Sequence, residues 1–340
     1  MIGVLLVVWS QSFAADGPMK PSPEVVATAP ASKPAGPAVP TPTLQNVHYG
    51  ELERQVLDFW KAAPRGAAPT PVVLYIHGGG WLDGDKSRIG LPGGGDGIEK
   101  LLAAHISVVS ISYRYVIQTP MTELHPQVKL PLDDAARALQ FVRSKAAEWK
   151  IDPERIGVCG GSAGACSSLW LTFHRDLADP ISRDPVARQS TRPWCAGVQD
   201  AQTSLDPKEL REWTPNSRYG GHAFGFAWDP KNWQAEFDDF YANREKVLPW
   251  IQEYSPYALA TADAPPVYLF YSNDAPSLGQ EKADPTHTAN YGVKLQEKLQ
   301  KLGVECELVY PGAPGIKHAD VLAYFIEKLY APRTPRIPPK

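Results

Sequence analysis

Gly160-Gly161-Ser162-Ala163-Gly164 follows the strand-like run Arg155-Ile156-Gly157-Val158-Cys159 and leads into residues 165–174, which read as a helix. A serine at such a strand-to-helix turn is forced into a strained backbone conformation that pushes its hydroxyl out of the fold. The flanking glycines suit the turn because a Cβ there would collide with the neighbouring strand or helix.

A second motif lies upstream. The β-rich run Val72-Val73-Leu74-Tyr75-Ile76 flows into His77-Gly78-Gly79-Gly80-Trp81. Consecutive glycines after a buried strand leave backbone N–H groups bare, able to face an oxygen that gains negative charge. Alone, this stretch reads equally as a glycine-rich turn. Followed by a serine elbow on a later strand, it is the arrangement that acyl transfer needs. The expected oxyanion donors are Gly78, Gly79 and Ala163.

A serine hydroxyl needs a base within hydrogen-bond reach, and the base needs an orienting carboxylate. With a serine elbow the order along the chain is Ser, acid, His. Of eight histidines, His174, His222, His287 and His318 follow Ser162. His318 is the expected base, because it follows the last predicted strand (305–310) and precedes the final helix. His287 is the runner-up; it opens the preceding helix and reads more readily as a surface or capping residue. His174, at the far end of the helix after the serine, should point away. His222 lies in an aromatic insertion and reads as exposed. The acid should follow strand 266–272, which makes Asp274 the first choice. Asp284 is the alternative acid, since the loop between them is long enough to fold back. Asn273-Asp274 is also ordinary turn chemistry.

Around these motifs, strand-like runs at 71–77, 106–112, 155–159, 195–199, 266–272 and 305–310 alternate with helix-like runs. The clearest helices are 133–149, 288–302 and 319–330. Asp133 and Asp134 suit a helix N-terminus, and Ala135, Leu139, Val142 and Ala146 recur at helical spacing. The fold class is therefore α/β, a mostly parallel central sheet with helices on both faces. Residues 47–60 are expected as an antiparallel hairpin at its edge. Residues 206–257 interrupt the alternation with eleven aromatic residues (Trp213 to Tyr254) and read as a helical cap insertion, most of whose rings pack on one another. Gly93-Gly94-Gly95-Asp96-Gly97 follows no predicted strand and reads as a flexible loop near the entrance.

The 340-residue chain has a formal net charge of -3 and no basic run, which argues against a nucleic-acid surface. Its 43% hydrophobic content supports a substantial core. Residues 1–15 carry an apolar run (Ile2 to Trp9) and small residues, as in a secretory signal peptide, although no Lys or Arg precedes the run. The run is too short to span a bilayer, which takes about 20 apolar residues. A secreted or periplasmic location is expected, without stable membrane insertion. Residues 16–44 are rich in Pro and Ala and read as a disordered linker. The catalytic domain is expected over 45–331, with a disordered tail at 332–340. Cys159 and Cys166 read as small buried hydrophobes, and a Cys195–Cys306 bridge is not favoured. Nothing in the spacing of Cys and His suggests a metal, and no cofactor is required.

With these residues in hand, the chain resembles the α/β-hydrolase family over about residues 47–329, on the branch of carboxylesterases with an HGGG loop. That branch includes hormone-sensitive-lipase-like and polysaccharide acetyl- or feruloyl-esterase-like enzymes. The matching residues are His77 to Trp81 with Gly84-Asp85-Lys86, Ser112-Tyr113-Arg114-Tyr115, Asp134, Ile151-Asp152-Pro153-Glu154-Arg155-Ile156, and the elbow itself. The resemblance implies a serine ester hydrolase with a small-molecule or carbohydrate ester substrate and a structural His77. It leaves the acid open, because Tyr271-Ser272-Asn273-Asp274 lacks the glycine of the family's turn. Arg114 and Asp134 are expected to tie loops. A peptidase or amidase with the same triad, or a binding protein on a hydrolase scaffold, are the competing classes.

Overall fold

The central run Val72 to Ile76 forms strand β3 (Thr70–Ile76), whose seven residues are all buried. Its side chains alternate between two apolar layers. Val72, Leu74 and Ile76 enter one, while Val73 and Tyr75 enter the other. A strand buried on both faces is what a parallel sheet covered by helices requires. The computed structural model describes residues 39–92, 94–116, 125–226 and 231–332. The signal-peptide reading, the linker up to residue 38 and the tail from residue 333 lie outside the described residues, as does Gly93.

The strands are β1 (Leu44–His48), β2 (Val56–Trp60), β3, β4 (Ser107–Ile111), β5 (Ile151–Gly161), β6 (Cys195–Gln199), β7 (Val267–Phe270) and β8 (Cys306–Val309). They form one sheet in the order β1-β2-β4-β3-β5-β6-β7-β8. Only the edge hairpin is antiparallel, β1 to β2 and β2 to β4. The remaining pairs are parallel.

The helices are α1 (Gly95–Ala103), α2 (Lys129–Ser144), α3 (Ala146–Trp149), α4 (Ala163–Phe173), α5 (Pro207–Trp213), α6 (Trp233–Ala242), α7 (Arg244–Tyr254), α8 (Pro256–Leu259), α9 (Ala289–Lys301) and α10 (Val321–Lys328). The layer holding Leu74 and Val158 also takes up buried residues of α2, α4 and α9, and the layer holding Tyr75 and Cys159 those of α1 and α10. This is the α/β-hydrolase architecture. Among the described residues, no helix is long and apolar enough to cross a membrane.

Several boundaries move. Helix α2 begins at Lys129, a turn before Asp133. Pro131 is tolerated there because first-turn N–H groups have no intrahelical partner. Gly95 to Gly97, expected in a loop, form the first turn of α1, with Asp96 at its positive end. Residues 206–257 hold α5, a 3₁₀ turn (Gly221–Phe224), α6 and α7. Their rings pack on one another, Phe240 on Phe224, Phe226 and Phe237, and continue the apolar layer that holds Leu74 and Val158. All four cysteines are free thiols, and β7 stands between the strands that carry Cys195 and Cys306.

Candidate active site

The carboxyl ends of the adjacent parallel strands β3 and β5 bring the two glycine motifs together. Ser162 sits between β5 and α4 with φ 53° and ψ −122°, a conformation L-residues rarely adopt. Such strain costs on the order of 1–3 kcal/mol and persists only when the surroundings impose it. Here they do. The Ser162 N–H donates to the Gln199 carbonyl at 3.0 Å, and the Ser162 carbonyl accepts from Cys166 at 3.0 Å. A Cβ on Gly164 would stand 2.6 Å from the His77 carbonyl oxygen, so only glycine lets α4 pack this close to β3.

The loop after β3 lies against this elbow. A Cβ on Gly78 would meet the Gly161 carbonyl at 2.7 Å and the Ser162 Cβ at 3.4 Å. Gly79, Gly80 and Trp81 have φ of 97°, 61° and 59°, three successive left-handed residues. The turn is closed by Leu82 and Asp83 N–H groups donating to the Gly79 carbonyl. Outside helices and strands, the N–H groups of Gly78 and Gly79 donate to no backbone carbonyl among the described residues. That of Ala163 opens α4, where the first N–H groups lack intrahelical partners.

His77 does not face the serine. Its Nδ1–H donates to the Gly78 carbonyl at 2.8 Å and its ring stacks on Tyr113 at 4.1 Å. Burial lowers its pKa to about 4, so the ring is neutral at neutral pH. Arg114 and Asp134 form a forked pair that ties the exit of β4 to α2. Burial pushes the Cys159 and Cys166 thiols up, which removes them as nucleophiles.

The imidazole that meets Ser162 is that of His287. Ser162 Oγ lies 3.0 Å from His287 Nε2, and His287 Nδ1 lies 2.8 Å from Asp284 Oδ2. A carboxylate only accepts, so Nδ1 carries the hydrogen and Nε2 presents its lone pair to the serine hydroxyl. Asp284 Oδ1 also accepts from the N–H groups of Thr286 and His287, at 3.1 and 3.2 Å. Acid and base thus share one side-chain-closed turn just before Thr288, whose hydroxyl caps α9. Burial pushes the Asp284 carboxyl up, but the His287 ring and those two N–H groups outweigh it and hold the pKa below the usual carboxylate value.

Two sequence-based expectations are therefore corrected. His318 is not at the serine. It is buried on the α10 face, with Nδ1 2.5 Å from Glu307 Oε2 and Nε2 3.0 Å from Glu327 Oε2. Strand β8, which leads to it, stands three strand spacings from β5, about 14 Å. Carboxylates on β8 and α10 hold the ring there. Asp274 is not at a histidine either; it pairs with Lys282 Nζ at 2.8 Å and braces the loop that carries Asp284.

That loop folds back because the insertion holds it. Asn216 exchanges side-chain hydrogen bonds with the backbone of Lys282. The Gly279 N–H donates to the Trp213 carbonyl at 3.0 Å. The runner-up base and the alternative acid are the pair the structure brings to Ser162. The local signal for them was Asp284-Pro285-Thr286-His287 before a capping threonine. Among the described residues, no group of three or more His, Cys, Asp or Glu side chains is placed to hold a metal ion.

Comparison with known proteins bears on this geometry. A probable isoprenylcysteine alpha-carbonyl methylesterase (ICMEL1) of Arabidopsis thaliana is 31% identical over 148 residues, 44% of this chain and 28% of that protein. Carboxylesterase NlhH of Mycobacterium tuberculosis is 36% identical over 118 residues, 32% of this chain and 31% of that protein. The chain thus spans about three-tenths of the length of these relatives. Among solved structures, a truncated carbohydrate esterase from gut microbiota superposes with a TM-score of 0.61 at 19% identity, covering 87% of this chain and 99% of that one. Thermogutta terrifontis esterase 2, phosphonylated by sarin, gives 0.57 at 21% identity, covering 86% and 93%. At that identity the two structures speak for the fold. The BD-FAE family profile matches residues 57–288, a stretch that holds the glycine loop, Ser162, Asp284 and His287 and ends before His318. The chain belongs to the BD-FAE family of the α/β-hydrolase fold.

Proposed function

We propose that this chain is a serine carboxylic-ester hydrolase in which Ser162 is the nucleophile, His287 the base and Asp284 the orienting acid. One observation carries the reading: the unbroken chain of hydrogen bonds from Ser162 Oγ through His287 to Asp284, in front of the glycine loop. His287 takes the hydroxyl proton as Oγ attacks the ester carbonyl. The tetrahedral oxyanion accepts from the N–H groups of Gly78, Gly79 and Ala163; losing one such donor costs about 3–4 kcal/mol of barrier. His287 then protonates the leaving alcohol. Water, deprotonated by the same ring, releases the acid from the acyl-enzyme.

Short acyl groups, including acetyl groups on carbohydrate, are the substrates we favour. A fold neighbour from Caldicellulosiruptor lactoaceticus is named an acetyl ester-xyloside bifunctional hydrolase, and the gut neighbour a carbohydrate esterase. The apolar run Ile2 to Trp9 supports export, as extracellular esters require. A fluorophosphonate probe should label Ser162, and His287→Ala should abolish labelling. A panel of p-nitrophenyl esters from acetate to dodecanoate should peak at the short end, while an aminoacyl anilide stays uncleaved. A wild type that takes no label and cleaves no ester overturns the reading.

A further inference from the structure

His222 was expected at the surface of the insertion. Instead it is 3% exposed, and its Nε2 lies 3.0 Å from the Gly80 carbonyl oxygen, in the loop that bares the oxyanion donors. The carbonyl can only accept, so Nε2 carries the hydrogen. We propose that His222 is a positioning residue that holds the Gly78–Gly79 donors in place through this bond; the inference rests on the hydrolase reading above.

The loop needs such an anchor. Gly79 and Gly80 have no side chain to pack, and glycine loses more backbone freedom on ordering than any other residue. Trp81 must also hold φ at 59°, which only external contacts maintain. Those contacts come from three sides, one of them the Val116 N–H beyond β4, which donates to the Trp81 carbonyl at 2.9 Å. On the side of the nucleophile helix, the buried Trp81 indole donates to Ser167 Oγ at 2.9 Å, and Ser167 Oγ donates to the Ala163 carbonyl at 2.9 Å. On the insertion side, His222 holds the peptide that joins Gly80 to Trp81.

His222 is itself held from several directions. Its ring is tilted against Trp81 and meets Tyr219 edge-on. Its backbone N–H donates to Glu236 Oε1, on α6, at 3.0 Å. The next residue, Ala223, accepts from the Val128 N–H at the start of α2 at 2.9 Å. Glu236 is buried with Oε2 unpartnered among the described residues, an arrangement that costs stability. Its Oε1 also stands 3.9 Å from His222 Nδ1, so the carboxylate flanks the ring as well as the backbone. Since a missing oxyanion donor slows acylation by about 10²- to 10³-fold, a loosened pair should cost a part of that.

Reach separates positioning from mere packing. The side-chain nitrogen of Gln extends about as far as Nε2 of His, whereas that of Asn stops one methylene short. His222→Ala and His222→Asn should each lower kcat on p-nitrophenyl acetate by roughly 10- to 30-fold with KM within about twofold. His222→Gln should stay within about threefold of wild type. The rate of fluorophosphonate labelling should fall in the same order. Should His222→Ala fail to fold, the Gln and Asn pair still decides. Wild-type kcat in the Asn variant, a Gln variant that folds yet is as slow as Asn, or losses in KM alone overturn the proposal while normal wild-type labelling leaves the hydrolase reading intact. A wild type that takes no label overturns both.

Discussion

Replacing His287 and His318 separately by alanine gives the sharpest test of the site. His287→Ala removes the only group within hydrogen-bond reach of Ser162 Oγ that can take its proton among the described residues. General-base catalysis contributes up to about 10⁴-fold, so kcat should fall by about four decades, about 5.4 kcal/mol at 1.36 kcal/mol per decade. The half-exposed ring leaves little packing behind, so the melting temperature should hardly move. His318→Ala should do the reverse. It leaves the partly buried Glu307 Oε2 on β8 without its imidazole partner, while Glu307 Oε1 keeps the Lys317 and His318 N–H groups. An unpaired, partly buried charge of this kind costs about 3 kcal/mol. At 2–4 °C per kcal/mol that is roughly 6–12 °C in Tm, with kcat on p-nitrophenyl acetate within about threefold of wild type at a temperature where the variant is folded. Steady-state kinetics and thermal unfolding on the same two proteins read both effects. A His318→Ala enzyme that is folded but inactive, beside an active His287→Ala enzyme, would falsify the assignment.

The carboxylates should divide in the same way. Asp284→Asn should lower kcat by about 10³- to 10⁴-fold, because the amide no longer fixes Nδ1 as the protonated nitrogen; Asp274→Asn loses only its pair with Lys282 and should stay within about fivefold. Equal losses in the two variants would contradict the geometry. His77 sets a pH dependence of stability. Burial lowers its pKa from 6.5 to about 4, so between those values the unfolded chain holds a proton that the folded chain does not. Stability from this group is complete above about pH 6.5 and is lost as pH falls toward 4, by about 3 kcal/mol in all. Urea unfolding from pH 4 to 7 should show His77→Asn, which keeps a donor for the Gly78 carbonyl, with a shallower acid slope than wild type; parallel slopes would refute the burial account.

Much of the framework was legible because its causes are local. Val72 to Ile76 must be buried on both faces, whatever lies around it. Ser162 between Gly160 and Gly164 can only be an exposed, strained elbow if a strand precedes it and a helix follows. The hairpin, the six parallel strands and the aromatic packing of the insertion follow from short-range pattern in the same sense. Boundaries moved where a neighbour intervened, as when Gly161 found Gln199 on β6 and lengthened β5 beyond Cys159.

The partner of the serine was of another kind. His318 and His287 both follow Ser162 in the required order, and each stands beside a helix start near the last strands. Choosing between them depends on where two loops travel across the sheet. The segment after β7 is drawn back over the site by Asn216 and Trp213 of the insertion, while Glu307 and Glu327 capture His318 on the opposite face. Chain order constrains which residues can meet, and local pattern sets the elements. Which imidazole occupies the few ångströms in front of a hydroxyl is settled by long-range hydrogen bonds, and only the folded chain contains those.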